Sequence, residues 1–192
     1  ETDGHGALRK NRDGEIPLRG TELDGENTPG HGHGERQTAS GRAAAPVATE
    51  AKKLMVVMNA ATSIITTRSP YIVRVSMTLP QLIEPFGAWV AKQGTKRAFT
   101  MVSDYAPGHD VEAAFHRSFK EAGGEIVESV RTPLRNPDYA PFLQRAKDSK
   151  PDALFVFVPS GEGLAVMKQF DERGLKQAGI RLIGTGDVTD DD

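Results

Sequence analysis

From residue 43 onward, apolar positions alternate between two spacings: short continuous or every-second runs, and longer stripes at intervals of three and four. Leu54, Met55, Val56, Val57 and Met58 form an unbroken run of strand length, the pattern of a parallel strand buried on both faces. After a turn at Arg68, Ser69 and Pro70, residues 71–76 alternate as a second strand. Residues 97–103, 125–130, 153–158 and 181–183 predict further strands, and ALFVFV at 153–158 is the plainest buried one.

Helical stripes lie between these runs. Residues 43–52 predict a short helix with Pro46 in its first turn. Thr78 or Pro80 opens a helix that turns Leu82, Ile83, Phe86, Trp89 and Val90 inward and ends near Gly94. Residues 108–122 carry Val111, Ala114, Phe115, Phe119 and Ala122 on one face, with Gly123 and Gly124 as the stop. Asn136 before Pro137 has the cap-then-proline order of a helix start, so 138–149 is expected to bury Tyr139, Phe142, Leu143 and Ala146. A last helix presents Leu164, Met167 and Phe170 and reaches Gly174.

Repeated strand–helix alternation predicts an α/β fold with a parallel sheet and right-handed crossovers. All strands of such a sheet end on one rim, where open α/β sheets bind ligands. That rim is expected to collect Asp104, Tyr105, Ser160, Glu162, Thr185 and Asp187. The loop after the first run, Asn59, Ala60, Ala61, Thr62 and Ser63, offers small side chains, an amide and two hydroxyls. A carboxylate or phosphate could approach backbone N–H groups there, although the same residues also suit an ordinary turn.

Composition narrows the possibilities. Before residue 43 the apolar residues Leu8, Ile16, Leu18 and Leu23 are too scattered for either period, so 1–42 is expected to be irregular or disordered. His31 and His33 in GHGHG are metal-ligand types without a third ligand at helical or turn spacing, which equally describes a solvated polar tail. A formal net charge of −2 gives no basic field for nucleic acid. The opening residues 1–10 have no apolar core of a signal peptide, and no apolar run is long enough to span a bilayer. The absence of cysteine excludes disulfides, thiolate nucleophiles and cysteine-ligated metal.

Signals for catalysis or a cofactor are weak. Gly161-Glu162-Gly163 and Gly184-Thr185-Gly186 begin like dinucleotide fingerprints, but Val166 and Thr189 stand where the third glycine belongs. No phosphate-binding GKS or GKT occurs, and neither Ser103 nor Ser160 lies in a G-x-S-x-G turn. His109 and His116, two helical turns apart, are either a catalytic pair or exposed flank residues. Asp187 with Asp190, Asp191 and Asp192 is either a cation site or a solvated acidic end. No catalytic set, cofactor or metal site is therefore assigned.

Four stretches carry a family resemblance: APVATEAKKLMVVMNAATS, SPYIVRVSMTLPQ, VSDYAPGHDVEAAF and PDALFVFVPSGEGLAVMKQFDERGL. Over residues 43–192 the chain resembles the substrate-binding proteins of ABC transporters of the branched-chain amino acid type. The resemblance implies two α/β lobes with a hinge and a ligand in the cleft between them. Residues 43–76 would be the remnant of a first lobe and the hinge, and 77–192 an incomplete second lobe.

It further implies that Ala60 and Thr62 hold a ligand carboxylate and that an acid near Asp187 takes the amino group of an amino-acid ligand; Asn59 and Ala61 of the same loop, with Tyr105 and Ser160 on the rim, are the other ligand-binding candidates. Pro107 stands where the family often has a ligand-packing tyrosine, with Tyr105 two residues earlier. The implied function is extracytoplasmic or periplasmic capture of a small carboxylate, a branched-chain amino acid or an aromatic acid, for an ABC permease. A ligand-sensing domain on the same fold and a doubly wound α/β enzyme are the alternatives. The strand–helix–strand opening of such proteins has no counterpart in 1–42, so the chain is expected to be a fragment or the product of a damaged reading frame.

Overall fold

The computed structural model describes residues 33–135 and 137–188, with side chains from residue 41 onward except that of Asp187. Two units follow one another. The first comprises helix α1 (His33–Ala51), strand β1 (Met55–Val57), a 3-10 helix (Ser63–Arg68) and strand β2 (Ile72–Arg74). The second comprises α2 (Leu79–Lys92), β3 (Arg97–Ser103), α3 (Ala106–Glu121), β4 (Glu125–Thr132), α4 (Ala140–Ser149), β5 (Ala153–Phe157), α5 (Gly163–Glu172), β6 (Arg181–Gly184) and a 3-10 turn (Gly186–Val188).

In the second unit the strands form an all-parallel sheet in the order β4-β3-β5-β6, as the alternation predicts. Because side chains on a strand alternate, β3 and β5 feed a core on each face. Ala98, Val102, Phe155 and Phe157 face α2 and α3, meeting Ile83, Val90, Val111, Phe115 and Phe119. Phe99, Met101, Leu154 and Val156 face the other way, onto Tyr139 and Leu143 of the α4 region and Val166 and Phe170 of α5. Phe115 stacks on Phe155 with ring centroids 4.2 Å apart, joining helix to sheet.

Local chemistry fixes the element ends. Thr78 caps α2 with a reciprocal capping box to Gln81, and Pro80 sits in its first turn. Helices α2 and α3 stop where Gly94 and Gly123 adopt φ of +88°, a conformation glycine reaches without a Cβ clash.

Several expectations are corrected. Helix α1 begins at His33, so residues 33–42 are helical, not irregular, and Pro46 lies in the helix interior. Helix α4 starts at Ala140 with Pro141 in its first turn, after Tyr139. Asn136, the expected cap, lies outside the described residues. Trp89 is 53% exposed and stacks beside Phe86 instead of entering the core, while Leu82 and Ala122 also face solvent. In α5 the inward stripe is Gly163, Val166 and Phe170, which leaves Leu164 73% exposed.

The run at 54–58 is the largest departure. Among the described residues it pairs in parallel with β2 alone, and of the five residues only Val57 is buried. A two-stranded sheet covered by α1 and the 3-10 helix has one dry face, where Val57, Ile72, Ile65, Ala45 and Ala60 cluster. Leu54, Val56, Met58, Val73 and Val75 are exposed.

Candidate functional site

The sheet order sets the location. Strand β3 leads to β4 on one side, while β5 and β6 lie on the other, so the carboxyl ends of β3 and β5 flank the point where connections diverge. Open parallel sheets receive ligands at such a point. The turn after β3 delivers Asp104 and Tyr105 here, and the turn after β5 delivers Ser160 and Glu162. Tyr105 lies half-buried with its ring stacked at 6.2 Å on Phe157, and Glu162 accepts a hydrogen bond from the Tyr139 hydroxyl at 3.3 Å. Burial, aided by the Glu162 charge and that bond, pushes the Tyr139 phenol well above its ordinary value, so it remains a donor.

Gly108 makes this geometry possible. A Cβ there would stand 2.0 Å from the Ser103 carbonyl oxygen, so only glycine lets the first turns of α3 close onto the end of β3. Asp110 is thereby brought to the rim.

The loop of the first unit meets it directly. Thr62, 1% exposed, donates its hydroxyl to Asp110 Oδ2 at 2.9 Å, and the Ser63 N–H donates to the same oxygen at 2.7 Å. The Ser63 hydroxyl donates to Asp110 Oδ1 at 2.9 Å. Three donors from the expected anion seat thus converge on one carboxylate, 47 and 48 residues away in sequence. Arg74 on β2 steadies the loop from behind, its Nη2 donating to the Thr62 carbonyl at 2.5 Å. Its pKa is lowered by burial, against which the nearby Asp110 charge acts. The buried Arg74 Nε has no hydrogen-bond partner among the described residues.

Of the predicted site residues, Thr62 is therefore joined to the second unit by hydrogen bonds. Ala61 packs at the edge of the α2–α3 core and its carbonyl accepts from Leu79 N–H at 2.9 Å, Ala60 is buried, and Asn59 is exposed. Ser160 sits half-buried on the rim, and the Asp187 side chain lies outside the described residues. Asp110 and Arg74 are the residues that sequence reasoning passed over. Asp110 stands just past the rim loop, and Arg74 interrupts an apolar strand beside the seat, which are the signals that could have found them.

The histidines divide. His109 is exposed and pairs with Asp104 at 2.7 Å, but His116 does not sit on the open flank. It is half-buried, 2.9 Å from the Thr100 hydroxyl, within a polar cluster that includes Ser129, Glu112 and Arg131. Among the described residues no group of three or more His, Asp or Glu is placed to hold a metal ion. His31 and Asp190 to Asp192 lie outside them, as does the His33 side chain. No helix among the described residues is long and apolar enough to cross a membrane.

A family model described as Periplasmic binding protein matches residues 36–192. The chain belongs to the periplasmic binding protein family. Among its relatives is a Leu/Ile/Val-binding protein homolog from Brucella melitensis, 45% identical over 153 residues, or 79% of this chain and 39% of the relative. A solute-binding protein of an ABC transporter from Rhodopseudomonas palustris, solved with 3,4-dihydroxybenzoic acid, is 60% identical with a TM-score of 0.74 over 81% of this chain and 43% of that one. A second from R. palustris, solved with 4-hydroxybenzoate, is 47% identical with a TM-score of 0.73, covering 79% and 41%. This periplasmic binding protein chain thus spans about two-fifths of the length of the curated relatives it matches.

Proposed function

We propose that the chain contributes the facing walls of a cleft in an extracytoplasmic solute-binding protein, which captures a small carboxylate for an ABC permease. The observation that carries this reading is the placement of the Asn59–Ser63 loop against the rim of the parallel sheet, with donors of Thr62 and Ser63 converging on a carboxylate. Backbone N–H and hydroxyl groups that satisfy one carboxylate have the chemistry to receive another. The flat, half-buried Tyr105 ring stacked on Phe157 offers an aromatic wall beside them. Two structural relatives hold hydroxybenzoates, which favours an aromatic acid over an aliphatic amino acid as the solute.

The reading requires binding and release without bond chemistry. Among the described residues no nucleophile–base pair is assembled at the rim, where His109 is held by Asp104 and Glu162 by Tyr139. Its test is thermal unfolding of the purified chain with hydroxybenzoates, branched-chain amino acids and short dicarboxylates. A ligand at a hundred times its dissociation constant adds about 2.7 kcal/mol to a two-state fold. A melting temperature raised by the hydroxybenzoates is the expected result; a melt that no carboxylate moves contradicts it.

A further inference from the structure

The two units have separate cores, and Asp110 stands at the joint between them. Three hydrogen bonds that cross the joint end on its carboxylate, and a further one runs from Leu79 N–H to the Ala61 carbonyl beside the chain connection. The Leu79 bond lies where the chain itself passes between units, so it constrains little beyond what the connection does. The Asp110 bonds close a loop of more than forty residues and fix how the seat faces the rim.

Charge chemistry strengthens this contact. A carboxylate bound by a backbone N–H and two hydroxyls makes charge-assisted bonds, stronger than neutral pairs. Arg74 holds the Thr62 carbonyl, and its charge also acts on Asp110, so one cation supports both the loop and the carboxylate it meets. Replacing Oδ2 of Asp110 by an apolar group leaves the Ser63 N–H and the almost fully buried Thr62 hydroxyl unpaired, and replacing Oδ1 leaves the Ser63 hydroxyl unpaired.

We infer that Asp110 is a positioning residue that latches the first unit against the second, so that a solute held between the Thr62 loop and the rim leaves only when this latch opens. The inference rests on the solute-binding reading above. A latch of this kind acts on release more than on capture: encounter proceeds with the units apart, while escape requires the Asp110 bonds to break.

The experiment has two arms on the purified full chain. In the first, amide hydrogen exchange is followed by NMR without any solute in wild type, Asp110→Asn and Asp110→Ala. Ser63 N–H is expected to exchange at least roughly tenfold faster in Asp110→Ala, with β3 and β5 amides unchanged and Asp110→Asn intermediate because it keeps one acceptor oxygen. Equal Ser63 protection in all three proteins overturns the latch. In the second arm, stopped-flow binding of 4-hydroxybenzoate is expected to show dissociation about tenfold or more faster in Asp110→Ala, with association changed by less than about threefold. Unchanged or slower dissociation overturns the inference while the solute-binding reading stands. If 4-hydroxybenzoate and the other carboxylates bind neither wild type nor variant, that reading fails instead, and the exchange arm alone decides whether Asp110 holds the joint.

Discussion

A methyl group at Gly108 would meet the Ser103 carbonyl oxygen at 2.0 Å, and the obstacle is backbone, which cannot swing aside. Gly108→Ala must therefore push the first turns of α3 off the end of β3, moving Asp110 away from Thr62 and Ser63. The expected cost is about 1–3 kcal/mol of stability, the range for forced overpacking. Urea unfolding of the variant measures it, and an unchanged midpoint contradicts the close approach.

The polar cluster under α3 makes a second prediction at the same level, in pH. Burial lowers the pKa of His116; Glu112 opposes this, while Lys120 and Arg131 reinforce it. For Glu112, 8% exposed, burial acts upward, but hydrogen bonds from Arg131 and Ser129 and the charges of Arg131 and His116 outweigh it and hold the carboxyl below its ordinary value. Both shifts mean that the unfolded chain takes up protons the folded protein resists. The His116 contribution is intact above the unfolded imidazole value of about 6.5 and is lost as pH falls from there toward the folded value. The Glu112 contribution is present above about 4.3 and is lost below it as the folded carboxyl protonates. Melting temperature is expected to drop in two stages on acidification, and His116→Gln should remove the upper stage alone.

Among the elements, α2 depends on its start. Thr78 and Gln81 satisfy each other's backbone N–H groups, so Thr78→Ala is expected to cost about 1 kcal/mol and to shift the melting curve accordingly. The sequence left the start of α2 between Thr78 and Pro80, while the strands at 97–103 and 153–158 were plain in it, because a local pattern and the final environment agree there. Where an element's surroundings decide its exposure, pattern reading erred. The run at 54–58 looks like a strand covered on both faces, yet its cover comes from α1 and the 3-10 helix on one face alone. Trp89 keeps helical spacing with Phe86, but α2 turns Val90 and Ala91 into the core and leaves Trp89 stacked on Phe86 at the exposed side. The place of Asp110 just past the rim loop was visible, but its role was missed for a different reason. Its partners lie 47 and 48 residues upstream, and nothing in a single sequence marks such a pairing.

The molecule as a whole pairs a sheet covered on both faces with a small unit that is not. Leu54, Val56, Met58, Val73, Val75 and Met77 leave an apolar row exposed on or beside β1 and β2, with Met58 at 76%. Rows of this kind on a strand pair promote association between chains. Light scattering is expected to show concentration-dependent self-association that the double variant Val56→Thr with Val75→Thr reduces. The same two-unit construction gives the proposed cleft its walls, one from the Thr62 loop and one from the rim of the sheet.

Calorimetric titration of 4-hydroxybenzoate into the purified chain and into Thr62→Val tests that cleft most directly. Valine keeps the shape of threonine and removes the hydroxyl alone. One solute per chain in the wild type, with affinity at least about tenfold weaker in Thr62→Val, or about 1.4 kcal/mol, is the predicted result, because the hydroxyl's one proton joins Asp110 and holds the loop against the rim. Equal affinity in the two proteins would contradict a cleft whose wall is held in place at Thr62.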